Sequence, residues 1–160
     1  MRLVLMGMPG TGKGTQAIRL REALGVPHVS TGDILRDAVK HGSALGRKVK
    51  AHLEAGTLVP NEVMGDLVVE RLGRGDAREG FVLDGFPRNL GQVGILDGAL
   101  ERLGVALDSV ILFSVPEREL VHRLAGRRVC PACGTVFHID RRPPRSAGVC
   151  DSCGQALVQR

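Results

Sequence analysis

Short apolar runs alternate along the chain with longer segments that mix apolar and charged residues. The runs at 2–6, 81–83 and 109–115 have the length of buried β-strands. The segment 13–24 is longer and carries apolar residues in a pattern that indicates a helix. Because strands that alternate with helices form parallel sheets, the pattern predicts a doubly wound, three-layer α/β/α fold with ligands at the carboxyl ends of the strands. The further predicted helices are 44–56, 61–72, 90–104 and 117–126, the last opened by Pro116.

Composition restricts the class of protein. The 160 residues, 43% of them hydrophobic, suffice for one globular domain with a small insertion. No apolar run is long enough to cross a bilayer, and the apolar start is too short for a secretory signal, so we expect a cytoplasmic protein with no membrane partner. Four Phe without Trp or Tyr leave little to stack on exposed bases, which disfavours binding of single-stranded nucleic acid.

The net charge of +5 is concentrated near the C-terminus. Residues 126–160 hold six Arg and two Asp, a local charge of +4, whereas the first 125 residues are nearly balanced. Such a basic patch binds phosphate or nucleic acid, or it only keeps a face soluble. The motifs elsewhere in the chain must decide between these readings.

The stretch GMPGTGK (7–13) lies between the first predicted strand and the first predicted helix. It has the spacing G-x-x-x-x-G-K, in which glycines free backbone N–H groups to surround phosphate oxygens at a helix N-terminus. Lys13 is then expected to neutralise the β- and γ-phosphates. Gly14 stands where the general pattern has Ser or Thr, and Thr15 comes one place later. We predict a nucleotide-binding loop, against the alternative of a plain glycine turn.

Two later stretches carry charged residues next to predicted elements. In STGDILR (30–36), Ser30 or Thr31 can cap a helix with Asp33 and Arg36 one turn apart, which alone indicates only a surface helix with an ion pair. In GFVLDGFPR (80–88), the strand ends in an aspartate placed to hold Mg²⁺ through water, the alternative being a turn acid.

The residues after this aspartate favour a second phosphate site. Gly85 allows close approach of the backbone, and Pro87 stiffens the turn that presents Arg88. Arg88 and Arg36 would then clamp a phosphate through bidentate hydrogen bonds.

Four stretches together resemble the nucleoside monophosphate kinases and, within them, the adenylate kinase family: GMPGTGKGTQ, STGDILR, GFVLDGFPRNLGQ and LAGRRVCPACG. They stand in the family's order and spacing, and the resemblance covers the chain from end to end. It implies a monomeric kinase that transfers a phosphoryl group reversibly from Mg-ATP to AMP, without nucleic acid. The ATP-binding residues implied by the resemblance are Gly7, Pro9, Gly10, Thr11, Gly12, Lys13, Gly14, Thr15, Arg123, Arg127, Val136 and Phe137.

The same resemblance implies an AMP site on a helical flap at 30–60, beside a core of 1–29 and 61–126. Gln92 and Thr31 would read the adenine, and the two arginines would take its phosphate. The implied AMP-binding residues are Thr31, Arg36, Thr57, Leu58, Val59, Gly85, Arg88 and Gln92.

Four cysteines form two C-x₂-C pairs, Cys130 with Cys133 and Cys150 with Cys153, sixteen residues apart. A glycine follows the second cysteine of each pair, as in the knuckle turns of a tetrahedral Cys₄ zinc site. Two disulfides are the competing interpretation, but they belong to oxidising compartments, and iron is the minor alternative metal. We predict a zinc-ribbon-like insertion in which the metal is structural, since four thiolates leave zinc no open position.

Phosphoryl transfer must exclude water, because ATP would otherwise be hydrolysed. By resemblance, the segment 127–160 is a lid that closes over ATP, with Arg123 against the adenine and Phe137 and His138 near the adenine ring. The alternative for Phe137 and His138 is a structural role in a hairpin between the cysteine pairs. Guanidinium groups stabilise the charge that spreads over the migrating phosphoryl oxygens. The implied catalytic residues are Lys13, Asp84, Arg88, Arg127 and Arg160.

The resemblance also implies that adenylate kinases continue past the equivalent of Arg160 with a return strand, closing helices and a further lid arginine. We therefore expect an exposed apolar sheet edge and a ligand affinity that survives better than turnover. The alternatives are a nucleotide-binding fragment without turnover, a kinase for another nucleoside monophosphate, and a zinc ribbon that contacts nucleic acid.

Overall fold

The computed structural model describes residues 1–40, 42, 44–55 and 59–159. In chain order its elements are β1 (Arg2–Gly7), α1 (Lys13–Leu24), β2 (His28–Ser30), α2 (Thr31–Lys40), α3 (Ala44–Glu54), α4 (Asn61–Leu72), β3 (Phe81–Asp84), α5 (Leu90–Leu103), β4 (Ser109–Phe113), α6 (Glu117–Ala125), β5 (Arg127–Val129), β6 (Val136–His138) and β7 (Val158–Gln159). A 3₁₀ turn at Gly75–Ala77 precedes β3. Of the predicted site residues, Thr57, Leu58 and Arg160 lie outside the described residues.

The first four strands form one parallel sheet in the order β2-β3-β1-β4. Leu5 of β1 is in register with Asp84 of β3, and Ser30 of β2 is in register with the same aspartate. The carboxyl ends of these three strands therefore lie side by side, at the edge where an open α/β sheet binds its ligands.

Helices cover both faces of this sheet. On one face, Val4, Phe81 and Leu83 pack in a buried cluster with Val68 of α4 and Leu96 of α5. On the other face, the alternate strand residues pack with α1 in a second cluster, whose buried members are Leu3, Leu5, Ala17, Val26 and Val82. Strand neighbours point to opposite faces, so each apolar run supplies both layers of the core. This confirms the predicted three-layer α/β/α arrangement.

Strand β4 is the end strand of the described sheet, and its apolar side chains are poorly covered. Val110 is 52% exposed and Leu112 is 70% exposed. An apolar sheet edge was expected from the resemblance, and the structure has one here.

The chain divides into two compact units. The first comprises residues 1–7 and 12–113, and the second comprises 8–11 and the chain from Ser114 onward. The predicted boundaries of core, flap and lid do not correspond to this division and stay a prediction. Among the described residues, no helix is both long enough and apolar enough to cross a membrane.

The second unit contains α6 and an antiparallel sheet in the order β6-β5-β7. Its buried cluster is small and consists of Cys130, Phe137 and Cys150, with Leu157 packed against it. The two cysteine turns follow one geometry, because the backbone N–H of Gly134 donates to the carbonyl of Cys130 at 2.9 Å and that of Gly154 donates to Cys150 at 2.8 Å. Both glycines have left-handed backbones, with φ of 73° and 72°.

Candidate functional site

The N-terminus of α1 has the features that an anion-binding site requires. Gly12, the residue before the helix, has φ of 96°, a left-handed conformation that favours glycine, and no side chain caps the helix. The first N–H groups of such a helix have no acceptor within the helix and carry partial positive charge. Lys13 follows at once, and its Nζ donates to the carbonyl of Gly7 at 2.6 Å. The two ends of the predicted phosphate loop, Gly7 and Gly12, and its lysine therefore meet at one helix end in the first unit, with Gly14 and Thr15 in the first turn of the helix.

The middle of the same loop belongs to the second unit, where it contacts α6. The N–H and the Oγ1 of Thr11 both donate to the carbonyl of Met8, at 3.3 and 2.8 Å, which closes a tight turn after Pro9. Arg123 Nη1 donates to the carbonyl of Gly10 at 3.4 Å. A Cβ on Gly10 would lie 3.2 Å from Leu124 Cγ. Four predicted ATP-binding residues, Pro9, Gly10, Thr11 and Arg123, are thus brought together.

Asp84 ends β3 beside the start of α1. Its Oδ2 lies 3.8 Å from the position that a Cβ on Gly14 would take, so the absence of a side chain there leaves room beside the carboxylate. His28 of β2 is a further neighbour, and its Nε2 lies 3.8 Å from Asp84 Oδ2. The side chains of His28 and Asp84 are only 14% and 15% exposed. The sequence reasoning missed His28. Its only signal was its place two residues before Ser30.

A carboxylate in this position fits the Mg²⁺ that accompanies nucleotides, since Mg²⁺ prefers oxygen ligands and is held by few protein groups beside substrate phosphates. Asp84 is the group in this arrangement that would hold the ion, directly or through water.

Gly85, Arg88 and Thr31 form a second group at the carboxyl end of β3. Gly85 has φ of 86°, and a Cβ there would meet Thr31 Oγ1 at 2.5 Å. Arg88 Nε donates to the carbonyl of Gly85 at 2.7 Å, and the fully buried Thr31 donates through Oγ1 to the carbonyl of Asp84 at 3.3 Å. The peptide bond between Phe86 and Pro87 is cis. Three of the predicted AMP-binding residues are therefore in contact.

Arg36, the partner predicted for Arg88, is engaged elsewhere in the structure. It forms an ion pair with Asp33 three residues earlier, both side chains being more than half exposed. Ser30 Oγ accepts from the N–H of Asp33 at 3.4 Å and so caps α2. Val59 packs against the larger core cluster.

Gln92 is buried in a network of amides that the sequence reasoning did not identify. Its Oε1 accepts from the N–H of Arg88 at 2.8 Å, and its Nε2 donates to Asn61 Oδ1 at 3.1 Å. Asn89 Nδ2 donates to the same Asn61 oxygen at 3.1 Å, and Asn89 Oδ1 caps α5 by accepting from the N–H of Gln92 at 3.0 Å. An asparagine directly before a predicted helix is a cap signal that identifies Asn89 from sequence.

The four cysteines converge, as predicted. Cys130 Sγ lies 3.4 Å from Cys153 Sγ, and Cys133 Sγ lies 3.5 Å from Cys150 Sγ, so each contact joins one C-x₂-C pair to the other. Two of the sulfurs belong to buried residues and two to exposed ones. Four thiols from two knuckle turns at such distances fit a tetrahedral zinc ion.

Neighbouring groups shift the pKa values of two of the thiols in opposite directions. The Thr135 hydroxyl, its backbone N–H and the neighbouring thiols lower the pKa of Cys133 to about 6. The N–H of Gln155 lowers the pKa of Cys153, but Cys130, burial and the other thiols outweigh it and raise that pKa to about 12. A cation bound among them would favour the thiolate form of all four.

The remaining predicted lid residues lie around this cluster. Arg127 is in register with His138, and Phe137 is buried beneath Arg142, whose Cζ is 5.8 Å from the ring centre. Phe137 therefore packs inside the second unit, which agrees with the structural hairpin role considered for this residue. Val136 is 39% exposed.

Glu119 on α6 organises two arginines of this unit. It accepts a hydrogen bond from Arg123 Nε at 2.8 Å and forms an ion pair with Arg141. The hydrogen bonds from Arg123 and then Arg141 lower the pKa of Glu119 below its ordinary value. Glu119 thus fixes the position of Arg123 beside Gly10, a role that its motif did not indicate.

Comparison with known proteins gives consistent matches. The family model described as adenylate kinase matches residues 5–156. A protein named adenylate kinase from Caldicellulosiruptor bescii is 49% identical over all 160 residues, which cover 74% of that relative's length. Proteins of the same name from Moorella thermoacetica and Methanocella arvoryzae are 52% and 51% identical, again over the whole chain and 74% of each relative.

Proposed function

The chain belongs to the adenylate kinase family, and on this premise we propose that it transfers a phosphoryl group reversibly from ATP to AMP, giving two ADP. One observation carries the proposal. The uncapped N-terminus of α1, the ammonium of Lys13 and the carboxylate of Asp84 occupy the same end of one sheet, where phosphate binding and a metal ligand are both required.

In this proposal, ATP binds through its phosphates to the loop. The N–H groups at the start of α1 donate to phosphate oxygens, and Lys13 exchanges its hydrogen bond with the Gly7 carbonyl for one with the β- and γ-phosphates. Asp84 would hold Mg²⁺, and the ion would supply charge neutralisation on the phosphates. Arg123 lies against the adenine, with its guanidinium oriented by Glu119.

AMP binds at the second group of residues. Arg88 takes the phosphate together with Arg36, which must release Asp33 to do so. Gln92 and Thr31 read the adenine. Both side chains already make hydrogen bonds within the protein, so the base would replace some of these with its own donors and acceptors. Thr57, Leu58 and Val59 complete this site in the proposal.

Catalysis rests on position and charge, because no covalent intermediate with the protein is needed. Arg88, Arg127 and Arg160 stabilise the negative charge of the migrating phosphoryl oxygens, and Lys13 assists. Closure of the segment 127–160 as a lid excludes water from the reaction. Zinc on the four cysteines gives this segment a rigid structure. We further propose that the protein acts as a monomer in the cytoplasm.

The first experiment is to incubate the purified chain with Mg²⁺, ATP and AMP and to follow ADP by ³¹P NMR, with AMP omitted as the control. ADP that forms only in the presence of AMP supports the proposal. Lys13→Met should lower the rate by about a hundredfold or more, since it removes a charge that is used in the transition state. Arg19→Gln, an exposed change on the outer part of α1, should leave the rate unchanged.

ATP binding without ADP formation would overturn the proposal in favour of a nucleotide-binding fragment without turnover. Competition among AMP, GMP, CMP and UMP tests the acceptor. If Gln92 reads adenine, Gln92→Ala should reduce the preference for AMP over GMP, whereas Gln16→Ala on α1 should not.

A further inference from the structure

A connected network of hydrogen bonds joins the start of α4 to the turn before α5. Asn61, the first residue of α4, accepts through Oδ1 from Gln92 Nε2 and from Asn89 Nδ2, both at 3.1 Å. Asn89 Oδ1 accepts from the backbone N–H of Gln92 at 3.0 Å. Gln92 Oε1 accepts from the backbone N–H of Arg88 at 2.8 Å. All of these residues belong to the first compact unit.

Two backbone groups determine the orientation of every amide in this network. A backbone N–H can only donate, so the N–H of Gln92 faces the oxygen of Asn89, whose Nδ2 is left to donate to Asn61. Asn61 therefore presents its oxygen to the network and receives an N–H of Gln92 Nε2. At the other end, the N–H of Arg88 requires the oxygen of Gln92. The Gln92 amide is thus held in one of the two orientations that differ by a half-turn.

The first turn of α5 leaves space for the Asn61 side chain. A Cβ on Gly91 would lie 2.9 Å from Asn61 Nδ2 and 3.3 Å from Asn89 Oδ1. A side chain at position 91 would therefore displace the Asn61 amide from the network. Gln92 is 6% exposed, so its amide has few other partners to turn to.

The network leaves part of the Gln92 amide for a ligand. Nε2 carries two N–H groups and Oε1 two lone pairs, and the network uses one of each. Among residues 1–40, 42, 44–55 and 59–159, this side chain has no further hydrogen-bond partner. One donor and one acceptor therefore remain, and the network fixes which side of the amide each occupies.

An amide of fixed orientation distinguishes adenine from guanine. Adenine presents an amino donor next to a ring-nitrogen acceptor, and these match the oxygen and the N–H of one amide. Guanine presents a carbonyl oxygen where adenine has its amino group, so the amide must make a half-turn to bind it. In Gln92 that turn would place Nε2 against the N–H of Arg88 and Oε1 against Oδ1 of Asn61. Both are unfavourable contacts between like groups, so the network opposes the binding of guanine.

We propose that Asn61 and Asn89 are positioning residues that hold the Gln92 amide in the orientation that selects adenine over guanine. This inference rests on the proposed function, in which Gln92 reads the base of the phosphoryl acceptor. It assigns the selectivity of the site to Gln92 together with two residues that act through it.

The test measures the affinities of the chain for AMP and GMP by isothermal titration calorimetry, and the ratio of the two affinities is the readout. Asn61→Ala removes the oxygen that both neighbours use, so it should lower the AMP-to-GMP ratio by about fivefold or more. Asn61→Asp keeps an oxygen in the same place and should retain the parent ratio within about twofold. Glu62→Ala is the matched control, because Glu62 is the next residue of α4, is exposed and lies outside the network.

Asn89→Asp tests the polarity of the network while the helix cap is kept. Aspartate still caps α5, but it replaces the Nδ2 donor with an oxygen that faces Oδ1 of Asn61. Asn61 should then turn its amino group towards Gln92, and the AMP-to-GMP ratio should fall as it does in Asn61→Ala. A merely structural network would weaken both nucleotides by the same factor, so an unchanged ratio in these two variants would overturn the proposal.

Gln92→Ala separates this inference from the proposed function. If Gln92→Ala loses the preference for AMP while Asn61→Ala and Asn89→Asp keep it, the positioning role is wrong and the reading of adenine by Gln92 stands. A preference that Gln92→Ala retains, or that the parent chain lacks, would overturn both. Selective AMP binding that depends on Asn61 but is not accompanied by ADP formation would support the positioning role and overturn only the phosphoryl transfer.

Discussion

The first compact unit buries Phe81, Leu83 and Phe86 between a parallel sheet and its helices, whereas the second buries little more than Phe137 and two cysteines. A buried leucine or phenylalanine contributes about 1.5–3 kcal/mol, so the first unit can be stabilised by burial alone. The second has too few such residues to be stabilised by burial alone, and in our proposal a zinc ion on its four sulfurs supplies the remaining stability. The proposal thus assigns different stabilising chemistry to the two units, and this difference can be tested.

The largest effect is expected from removing one zinc ligand. Cys150→Ser should abolish stoichiometric zinc binding and unfold the segment around 130–159, because structural zinc contributes on the order of 10 kcal/mol to small domains. Zinc content by mass spectrometry under native conditions and limited proteolysis measure both results. The matched control is Ser152→Ala, two residues away in the same turn.

The first unit should respond in the opposite way. Cys150→Ser should leave its protease-resistant part intact, and chelation of zinc should act in the same manner as the variant. Full zinc binding by Cys150→Ser, or unfolding of residues 12–113 along with the cysteine segment, would contradict this division.

A core truncation should be the next largest change. Leu83→Ala removes a fully buried side chain from β3 and should lower the free energy of unfolding of the first unit by about 2–5 kcal/mol, with zinc content unchanged. Urea unfolding followed by circular dichroism measures it. Leu90→Ala is the control, since Leu90 is 88% exposed and its truncation should change stability by about 0.5 kcal/mol or less.

Helix packing in the first unit should show a smaller effect. A Cβ on Gly65 of α4 would lie 2.5 Å from Ile95 Cγ2 of α5, so Gly65→Ala should destabilise by about 1–3 kcal/mol despite the better helix propensity of alanine. Ile95→Ala removes the clashing methyl group and should recover part of the loss in the double variant. A sum of the two single effects, without coupling, would contradict this contact.

Gly98→Ala in the next helix, α5, should increase stability, in contrast to Gly65→Ala. Nothing lies within 4 Å of the position of its Cβ, so alanine should stabilise α5 by up to about 1 kcal/mol. Both glycine variants are measured by urea unfolding.

The smallest effect should come from Glu119, a surface acid of the second unit. Because Arg123 and Arg141 lower its pKa in the folded state below the ordinary 4.5, its ion pairs stabilise the fold above that value and lose their contribution as the pH falls through the folded pKa. Glu119→Gln should therefore lower Tm slightly near neutral pH, and the difference from the parent should shrink below pH 4.5. Glu117→Gln on the same helix controls for loss of charge. A difference that grows in acid would be evidence against these pairs.

Much of the fold could be predicted because its elements have strong local signals. The predicted helices 13–24 and 61–72 coincide with α1 and α4, and Pro116 precedes α6. The predicted helix 90–104 exceeds α5 by Gly104, which has φ of 66° and ends the helix. The predicted helix 44–56 runs past the described end of α3 at Glu54.

Short strands were missed for a physical reason. Strands β2, β5, β6 and β7 have only two or three residues, too few for a periodic pattern, and their pairing depends on contacts distant in sequence. The resemblance likewise located Gln92 but not its partner Asn61, which is thirty-one residues away and reaches it only through the packing of α4 on α5.

The cysteine pairs could be identified from their spacing, yet the spacing did not reveal which sulfurs are nearest. The short contacts run between the pairs, from Cys130 to Cys153 and from Cys133 to Cys150, because the two knuckle turns face each other. Similarly, the motif predicts that Arg36 binds a phosphate. The structure shows that Arg36 forms an ion pair with Asp33.

The open side of β4 has a practical consequence for anyone who handles the protein. A strand at a sheet edge offers its backbone to any extended peptide, and the bare side chains of Val110 and Leu112 add little selectivity. Association through this surface should increase with protein concentration, because encounters between molecules become more frequent while the folded state of each molecule is unchanged. Dilution of the sample, or the substitution Leu112→Lys, which places a charge on the exposed edge strand, should reduce aggregation.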